Sequence, residues 1–488
     1  MNWLCVQDGA REHYAIPRAL HRSGRLEALF TGFWAGPVVR GAARWIPAGG
    51  LRSLAGRHHP DLEEGRWKPQ QKAETLKPEI LKAEVSGRKV EIVSWNWQVM
   101  GRELGAKSES GKRKAESGNC YERFIREGRW FSERVRDHLA RRGTDVRGRV
   151  VFSYDTTALE LFRWAKERGA FCVLGQMDPG RVEAEMVRDE EKRWPGWARK
   201  ENAEMLKAER EKEKSRKQKA ESGKRKAEIG DAYFRRREEE WRLADRIMVN
   251  SQWSFDALVK QGVSPEKLVV VPLCFEEKQK AEKLKSESRK QKSQNGDEFQ
   301  LSTFQISAFP QLRVLFLGQV VLRKGIQYLL ETAKLLRNEP VHFDVVGPAG
   351  ISDDAIKSAP ANMVFHGRVN RDEAAGWYER ADVFALPTLS DGFAITQIEA
   401  MAHGLPVIAT PHCGEVVTDG VDGFIVPARD ATMLAEAIRR YLKEPELLRS
   451  QRDAALAKSK QFTLDKLAER LVILEQNLKA ESRKRTAG

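Results

Sequence analysis

The run GQVVLRKG (318–325) puts two adjacent cations, Arg323 and Lys324, between a strand-like apolar stretch that ends at Gly318 and a helical pattern that begins near Gly325. At a helix start they face the positive end of the dipole, where a positive side chain is mildly destabilising. An anion bound there reverses the penalty, and the exposed amides of the helix start add to phosphate binding. The alternative is a pair of solvated cations on an ordinary loop. A second turn, TLSDGFAITQIEAMAHG (388–404), sets Asp391, Gly392 and Phe393 before a helix, with Glu399 two turns inside it. Gly392 permits close backbone approach to a ligand, and the amides of residues 392–395, those of Phe393 and Ala394 among them, can face an oxyanion. Asp391 reads equally as a helix N-cap. For Glu399 the apolar neighbours Ile398, Ala400 and Met401 argue against a purely solvated face. A third turn, DGAREHYAI (8–16), carries Gly9 and Ala10 between the first strand and the first helix; alone it reads equally as a structural turn.

These turns are spaced by an alternation of short apolar runs and helical patterns. From residue 312 the runs LRVLFLG, VHFDVVG, NMVFHGRV, DVFALPT, PVIAT and GFIVP are joined by amphipathic stretches such as GIQYLLETAKLLRN and ATMLAEAIRRYLKEP. Continuous apolar strands joined by helices predict a parallel sheet covered on both faces. The first half repeats the pattern with WLCVQ, ALFTGFW, VEIVSWN, VVFSYD, FCVLGQMD, RIMVNS and KLVVVPL. The expected architecture is α/β, two Rossmann-like doubly wound domains facing a cleft. The first covers residues 1–275, a linker 276–311, the second 312–445, and a polar-faced helix with a basic tail 446–488. In such sheets ligands bind beyond the carboxyl ends of the strands, where the three turns fall.

A chain of 488 residues is too long for one core. Its five cysteines form no CxxC pair, which excludes a disulfide framework and a cysteine zinc site and suits a cytoplasmic protein with reduced thiols. The start lacks the basic and apolar regions of a signal peptide, and no run of about 18 apolar residues occurs. The net charge of +15 lies in segments of Lys, Arg, Glu, Ala, Ser and Gln at 71–89, 107–117, 207–228, 278–292 and 479–485, leaving the rest near neutral. They are nearly devoid of aromatic and branched apolar residues, so they read as solvated loops or loosely helical insertions. The absence of stacking aromatics argues against nucleic acid as a partner. Attachment to anionic lipid, at the inner face of a membrane, is the second reading of these segments.

With these motifs in order, the stretch from Arg313 to Pro427 resembles the nucleotide-sugar-binding domain of family 4 glycosyltransferases of the GT-B fold. That family has a GRxxxxKG turn at the donor diphosphate and an ExxxxxxxE pair beside the donor. Lys324 and Gly325 match the first motif, read from Gly318, with Gln319 in place of the arginine; Asp391 and Glu399 match the second, with aspartate in the first position. GEVVTDGVDGFIVP (414–427) and ADRIMVNSQWSFDALVKQGVSPEKLVVVPL (244–273) resemble further family segments. The resemblance implies a donor site lined by Gly9, Ala10, Gly318, Gln319, Gly325, Gly392, Phe393 and Ala394. In it Lys324, with Arg323, neutralises the diphosphate, Glu399 receives the ribose hydroxyls and Asp391 holds the sugar. It also implies retention of anomeric configuration, a UDP- or GDP-linked donor, no metal or cofactor, and a glycan, glycolipid or other envelope-related acceptor, as in polysaccharide biosynthesis. The acceptor would lie near Asp155, Gln176 and Asp178. A GT-B epimerase or a non-catalytic sugar-nucleotide-binding protein are the alternatives.

Overall fold

The computed structural model describes residues 1–8, 14–32, 62, 79–85, 88–95, 120–197, 216–275 and 311–487. In chain order the first part runs β1 (Trp3–Val6), α1 (Ala15–Arg22), β2 (Leu26–Thr31), β3 (Glu79–Val85), β4 (Arg88–Ser94), α2 (Cys120–Arg141), β5 (Val150–Tyr154), α3 (Leu159–Glu167), β6 (Phe171–Gln176), α4 (Arg181–Arg193), α5 (Arg216–Leu243), β7 (Arg246–Val249), α6 (Gln252–Lys260) and β8 (Leu268–Val270). Among the described residues its eight strands order as β3-β4-β2-β1-β5-β6-β7-β8, parallel except for β3.

The second part runs β9 (Leu312–Leu317), α7 (Ile326–Leu335), β10 (Val341–Val346), α8 (Asp353–Lys357), β11 (Met363–Gly367), α9 (Arg371–Arg380), β12 (Val383–Leu386), α10 (Thr396–Ala402), β13 (Val407–Ala409), β14 (Gly423–Ile425), α11 (Ala431–Lys443), α12 (Pro445–Ser459) and α13 (Leu464–Ala487). Its six strands are all parallel, in the order β11-β10-β9-β12-β13-β14.

The central strands of each sheet are buried on both faces, which the unbroken apolar runs require. On β1 the alternation is direct: Trp3 and Cys5 join the core shared with α1, while Leu4 and Val6 join the one shared with α2, α3 and α6. On β9, Val314 and Phe316 pack on the face of α7 and α11, and Leu315 packs on the face of α9 and α10. The side-chain period of a strand is two, so one register serves both faces.

Three elements differ from the sequence reading. Residues 79–85, expected inside a solvated insertion, form the edge strand β3, with Ile80 opposite Val93 and Leu81 opposite Ile92. The apolar residues of EILKAEV suit a ladder that satisfies the segment's backbone groups. Residues 216–228 of the next insertion belong to the 28-residue helix α5. Ala, Glu, Lys, Arg and Gln propagate a helix well once Tyr233, Phe234 and Trp241 anchor its second half in the core. The last helix, α13, is not merely polar-faced: it returns to the first sheet and buries Leu464, Leu467, Leu471, Leu474 and Leu478 beside α1. There the nearly inaccessible Glu475 accepts Trp3 Nε1–H at 3.1 Å and pairs with Arg25 at 3.0 Å. The basic segment 479–485 continues this helix, with Arg246 paired to Glu481.

Candidate functional site

Between β9 and α7 the chain makes one 3-10 turn, Leu322–Lys324, and then a left-handed residue, Gly325, at φ 74°. A Cβ on Gly325 would lie 1.8 Å from the Pro387 carbonyl oxygen, so only glycine lets this turn press against the end of β12. The Leu389 amide donates to the Arg323 carbonyl at 2.8 Å, binding the two turns together. That contact brings both motifs to one place. The Lys324 ammonium touches Asp391 Oδ2, while Arg323 Nη1 donates to the Ser390 carbonyl at 3.0 Å and lies 3.7 Å from the same Asp391 oxygen.

The sequence places these cations against the positive end of a helix dipole. In the fold Lys324 and Asp391 are largely buried and form an ion pair. Burial, and after it the adjacent Arg323, press the Lys324 pKa down toward about 7. The Asp391 carboxylate works the other way and favours the ammonium while it is ionised. The other oxygen of Asp391 accepts the amides of Phe393 at 3.2 Å and Ala394 at 3.0 Å. Capping and ion pairing are therefore both done by this residue, and those two amides are already taken in this state. Ala394 itself stands at φ 59°, a strained position for a residue with a Cβ. At Gly392 a Cβ would lie 2.2 Å from the Met177 carbonyl oxygen, so the close approach this glycine permits is made by the first domain.

On α10, Glu399 accepts the Tyr378 hydroxyl at 2.9 Å, and Tyr378 stacks on His403 with ring centres 5.0 Å apart. Gly318 follows the last residue of β9, and Gln319 beside it is exposed. Gly9 and Ala10 lie outside the described residues.

The three residues expected on the acceptor side are engaged with α5 of the first domain. Asp155 is fully buried and pairs with Arg237 at 2.7 Å; Gln176 donates to Asp155 at 3.3 Å and to the Asp178 carbonyl at 2.9 Å, and accepts Trp241 Nε1–H at 2.8 Å. Gln176 bridges Asp155 and Trp241, and Asp155 compensates the buried Arg237 guanidinium on α5. Burial opposes its charge, but Asp178 and Asp155 hold it protonated. Asp178 alone of the three keeps part of its side chain accessible, about a third, while pairing with Arg237 at 2.7 Å.

Residues that the sequence did not single out complete the cleft. Glu183, in the first turn of α4, accepts the Ser390 hydroxyl at 2.8 Å and lies 3.5 Å from Arg323 Nη1. Burial raises its pKa from the ordinary value against the pull of Arg323. Trp253, on α6, donates to Ser390 Oγ at 3.0 Å and stacks on His412 at 4.2 Å, and Glu415 accepts the amides of Gln252 and Trp253 at that helix start. In sequence Glu183 is indistinguishable from any acidic residue favoured at a helix N-terminus. Its partners lie in the other domain.

Two doubly wound domains with charged turns meeting at the carboxyl ends of their strands define the GT-B fold, and solved structures agree. Sucrose-phosphate synthase from Thermosynechococcus elongatus is similar over 99% of this chain and 100% of its own, with a TM-score of 0.54 at 16% identity. Anabaena Alr3699/HepE, solved with UDP and glucose, is similar over 98% of this chain and 100% of its own, with a TM-score of 0.52 at 12% identity.

Residues 311–444, the second domain, match the family model for glycosyl transferases group 1. A D-inositol 3-phosphate glycosyltransferase of Streptomyces griseus is 32% identical over 172 residues, 32% of this chain and 36% of that protein. The chain spans about half or less of the length of the curated relatives it matches.

Proposed function

We propose that this chain transfers a sugar from a nucleotide-sugar donor to an acceptor hydroxyl. The observation that carries the reading is the convergence of Arg323, Lys324 and Asp391 beyond the strand ends of a domain that matches the group 1 glycosyltransferase model. The diphosphate of the donor binds Arg323 and Lys324, and the same cations stabilise the negative charge that gathers on the leaving nucleotide. In a largely buried site that stabilisation exceeds what solvated cations give. Asp391, released from part of its pairing, accepts hydroxyls of the transferred sugar, and Glu399 accepts those of the ribose. Side-chain cations supply the charge neutralisation, so the reading needs no metal.

Retention of anomeric configuration belongs to the same proposal, as does a glycan or lipid-linked acceptor approaching from the first domain. A UDP- or GDP-linked donor is part of the same proposal. Peripheral attachment to an anionic membrane through the basic segments is the accompanying proposal for location.

UDP-, GDP- and ADP-sugars are screened for thermal stabilisation, and the stabilising donor is then assayed for turnover with acceptor extracts. A ligand at about 100 times its dissociation constant adds about 2.7 kcal/mol, a readable shift. Failure of every donor to stabilise the protein, or stabilisation that survives Lys324→Ala unchanged, overturns the reading. Proton coupling constants of the product report retention.

A further inference from the structure

Glu183 belongs to the first domain, yet its carboxylate is committed to the second. One oxygen, Oε2, accepts the Ser390 hydroxyl at 2.8 Å and stands 3.5 Å from Arg323 Nη1. The charged groups facing it are Arg323 and Lys324 from the second domain and Asp178 from the end of β6, itself held by Arg237. Ser390 Oγ also takes the indole N–H of Trp253, so the loop before Asp391 is gripped from α4 and α6 together.

The charge balance at this place is informative. Arg323 and Lys324 face Asp391 and Glu183, two cations against two carboxylates, so the arrangement offers a diphosphate no net positive charge. A further anion gains full attraction only if one carboxylate gives way. Asp391 is fixed on its second oxygen by the amides of Phe393 and Ala394, whereas the contacts of Glu183 with Ser390 and Arg323 both run through Oε2. Helix α4 itself is pinned further along. Glu190, fully buried, accepts Tyr328 Oη–H at 2.5 Å, Gln327 Nε2–H at 3.0 Å and Arg429 Nε–H at 2.8 Å. The side chain of Glu183, rather than the helix, is therefore the part free to move.

We propose that Glu183 is a placeholder for the donor's phosphate, holding Arg323 while the site is empty and yielding it to a phosphate oxygen when the donor binds. The inference rests on the donor-site reading above and deepens it: donor affinity is set against an interdomain carboxylate. Loss of that negative charge then strengthens binding, which loss of an ordinary structural contact does not do.

The test is calorimetric titration of the full chain with UDP, and separately with inorganic pyrophosphate, for wild type, Glu183→Gln, Glu183→Ala and Lys324→Ala. Glu183→Gln keeps the shape and a carbonyl acceptor for Ser390 and is expected to bind both probes at least about fivefold more tightly. Glu183→Ala, which also strips Ser390 of that acceptor, is expected to gain less. If wild type binds UDP through Lys324 but both Glu183 variants bind equally or more weakly, the placeholder role is overturned and the donor site stands. If neither UDP nor pyrophosphate binds wild type or Glu183→Gln, the donor-site reading falls and takes the inference with it.

Discussion

Lys324 and Asp391 are 67 residues apart in sequence and in contact in the fold, and this changes what removing the lysine should do. Lys324→Ala is expected to lower donor turnover by about 2 to 3 kcal/mol of transition-state stabilisation, as for loss of one preorganised charge donor. It should also lower the thermal midpoint, because Asp391 is left partly buried with Arg323 at 3.7 Å as its nearest remaining cation. An unpaired cation opposing a helix dipole would have given the opposite sign of stability change. Full activity with a lowered midpoint would make Lys324 purely structural. Arg323→Ala is the companion measurement: a loss of turnover equal to that of Lys324→Ala means Arg323 stands in for the arginine absent at Gln319. Glu399→Gln is expected to raise the KM for the donor with little change in kcat, since a ribose contact serves ground and transition states alike; an equal fall in kcat would contradict that role.

Two helices of the first domain carry buried carboxylates with different consequences. On α4, Glu190 has no accessible surface and receives three donors from the second domain; burial opposes its charge, but Tyr328, Gln327 and Arg429 hold its pKa low. Glu190→Ala removes the acceptor shared by all three partners and is expected to cost roughly 3 to 5 kcal/mol. Differential scanning calorimetry checks this, and a loss below about 1 kcal/mol would mean the interface repacks around the gap. On α5, Glu240 accepts the amides of Thr156, Ala158 and Leu159 at the start of α3 at 2.8 to 3.1 Å. Burial nonetheless raises its pKa from 4.5 to about 7. A carboxyl with a folded pKa above its unfolded one contributes stability fully below the unfolded value, and that contribution is lost as pH rises through the folded value. The thermal midpoint of wild type is therefore expected to fall between pH 5 and pH 8 more than that of Glu240→Gln. Parallel profiles for the two proteins would exclude Glu240 as the cause.

At the scale of the molecule, α13 decides how the chain can be divided. Its leucines lie in the core of the first domain although they follow the second, so a cut between residues 275 and 312 does not separate two complete units. A fragment of residues 1–300 is expected to be poorly soluble and to recover when residues 460–488 are fused to it, as read by soluble yield and thermal unfolding. Equal yields with and without the fusion would show that α13 is dispensable. The basic segment 278–292 lies outside the described residues, and its composition cannot support a core. Shortening it is expected to leave donor turnover within about threefold, and a hundredfold drop would give it a part in the site. Among the described residues no helix is long and apolar enough to cross a membrane. Liposome flotation with and without the basic segments therefore tests peripheral attachment directly.

The alternation of apolar runs and amphipathic stretches determined the two parallel sheets, because burial on both faces leaves a local mark on nearly every strand. The motif GQVVLRKG, with Asp391 and Glu399 downstream, was legible for a similar reason: turns at strand ends draw their glycines and charges from neighbouring positions. The leucines of α13 also carry a readable spacing, at 464, 467, 471, 474 and 478, but nothing local says which sheet they cover. Glu183 and Glu190 show the same limit, as ordinary acids of a polar helix whose partners lie 137 to 239 residues away. Asp155 and Gln176, expected in the cleft from their place at strand ends, are held instead by Arg237 and Trp241, respectively, on a helix whose course the sequence did not predict. Propensity and periodicity are properties of neighbours along the chain. Which carboxylate meets which cation across the cleft depends on how the sheets are docked, and only the tertiary structure decided that.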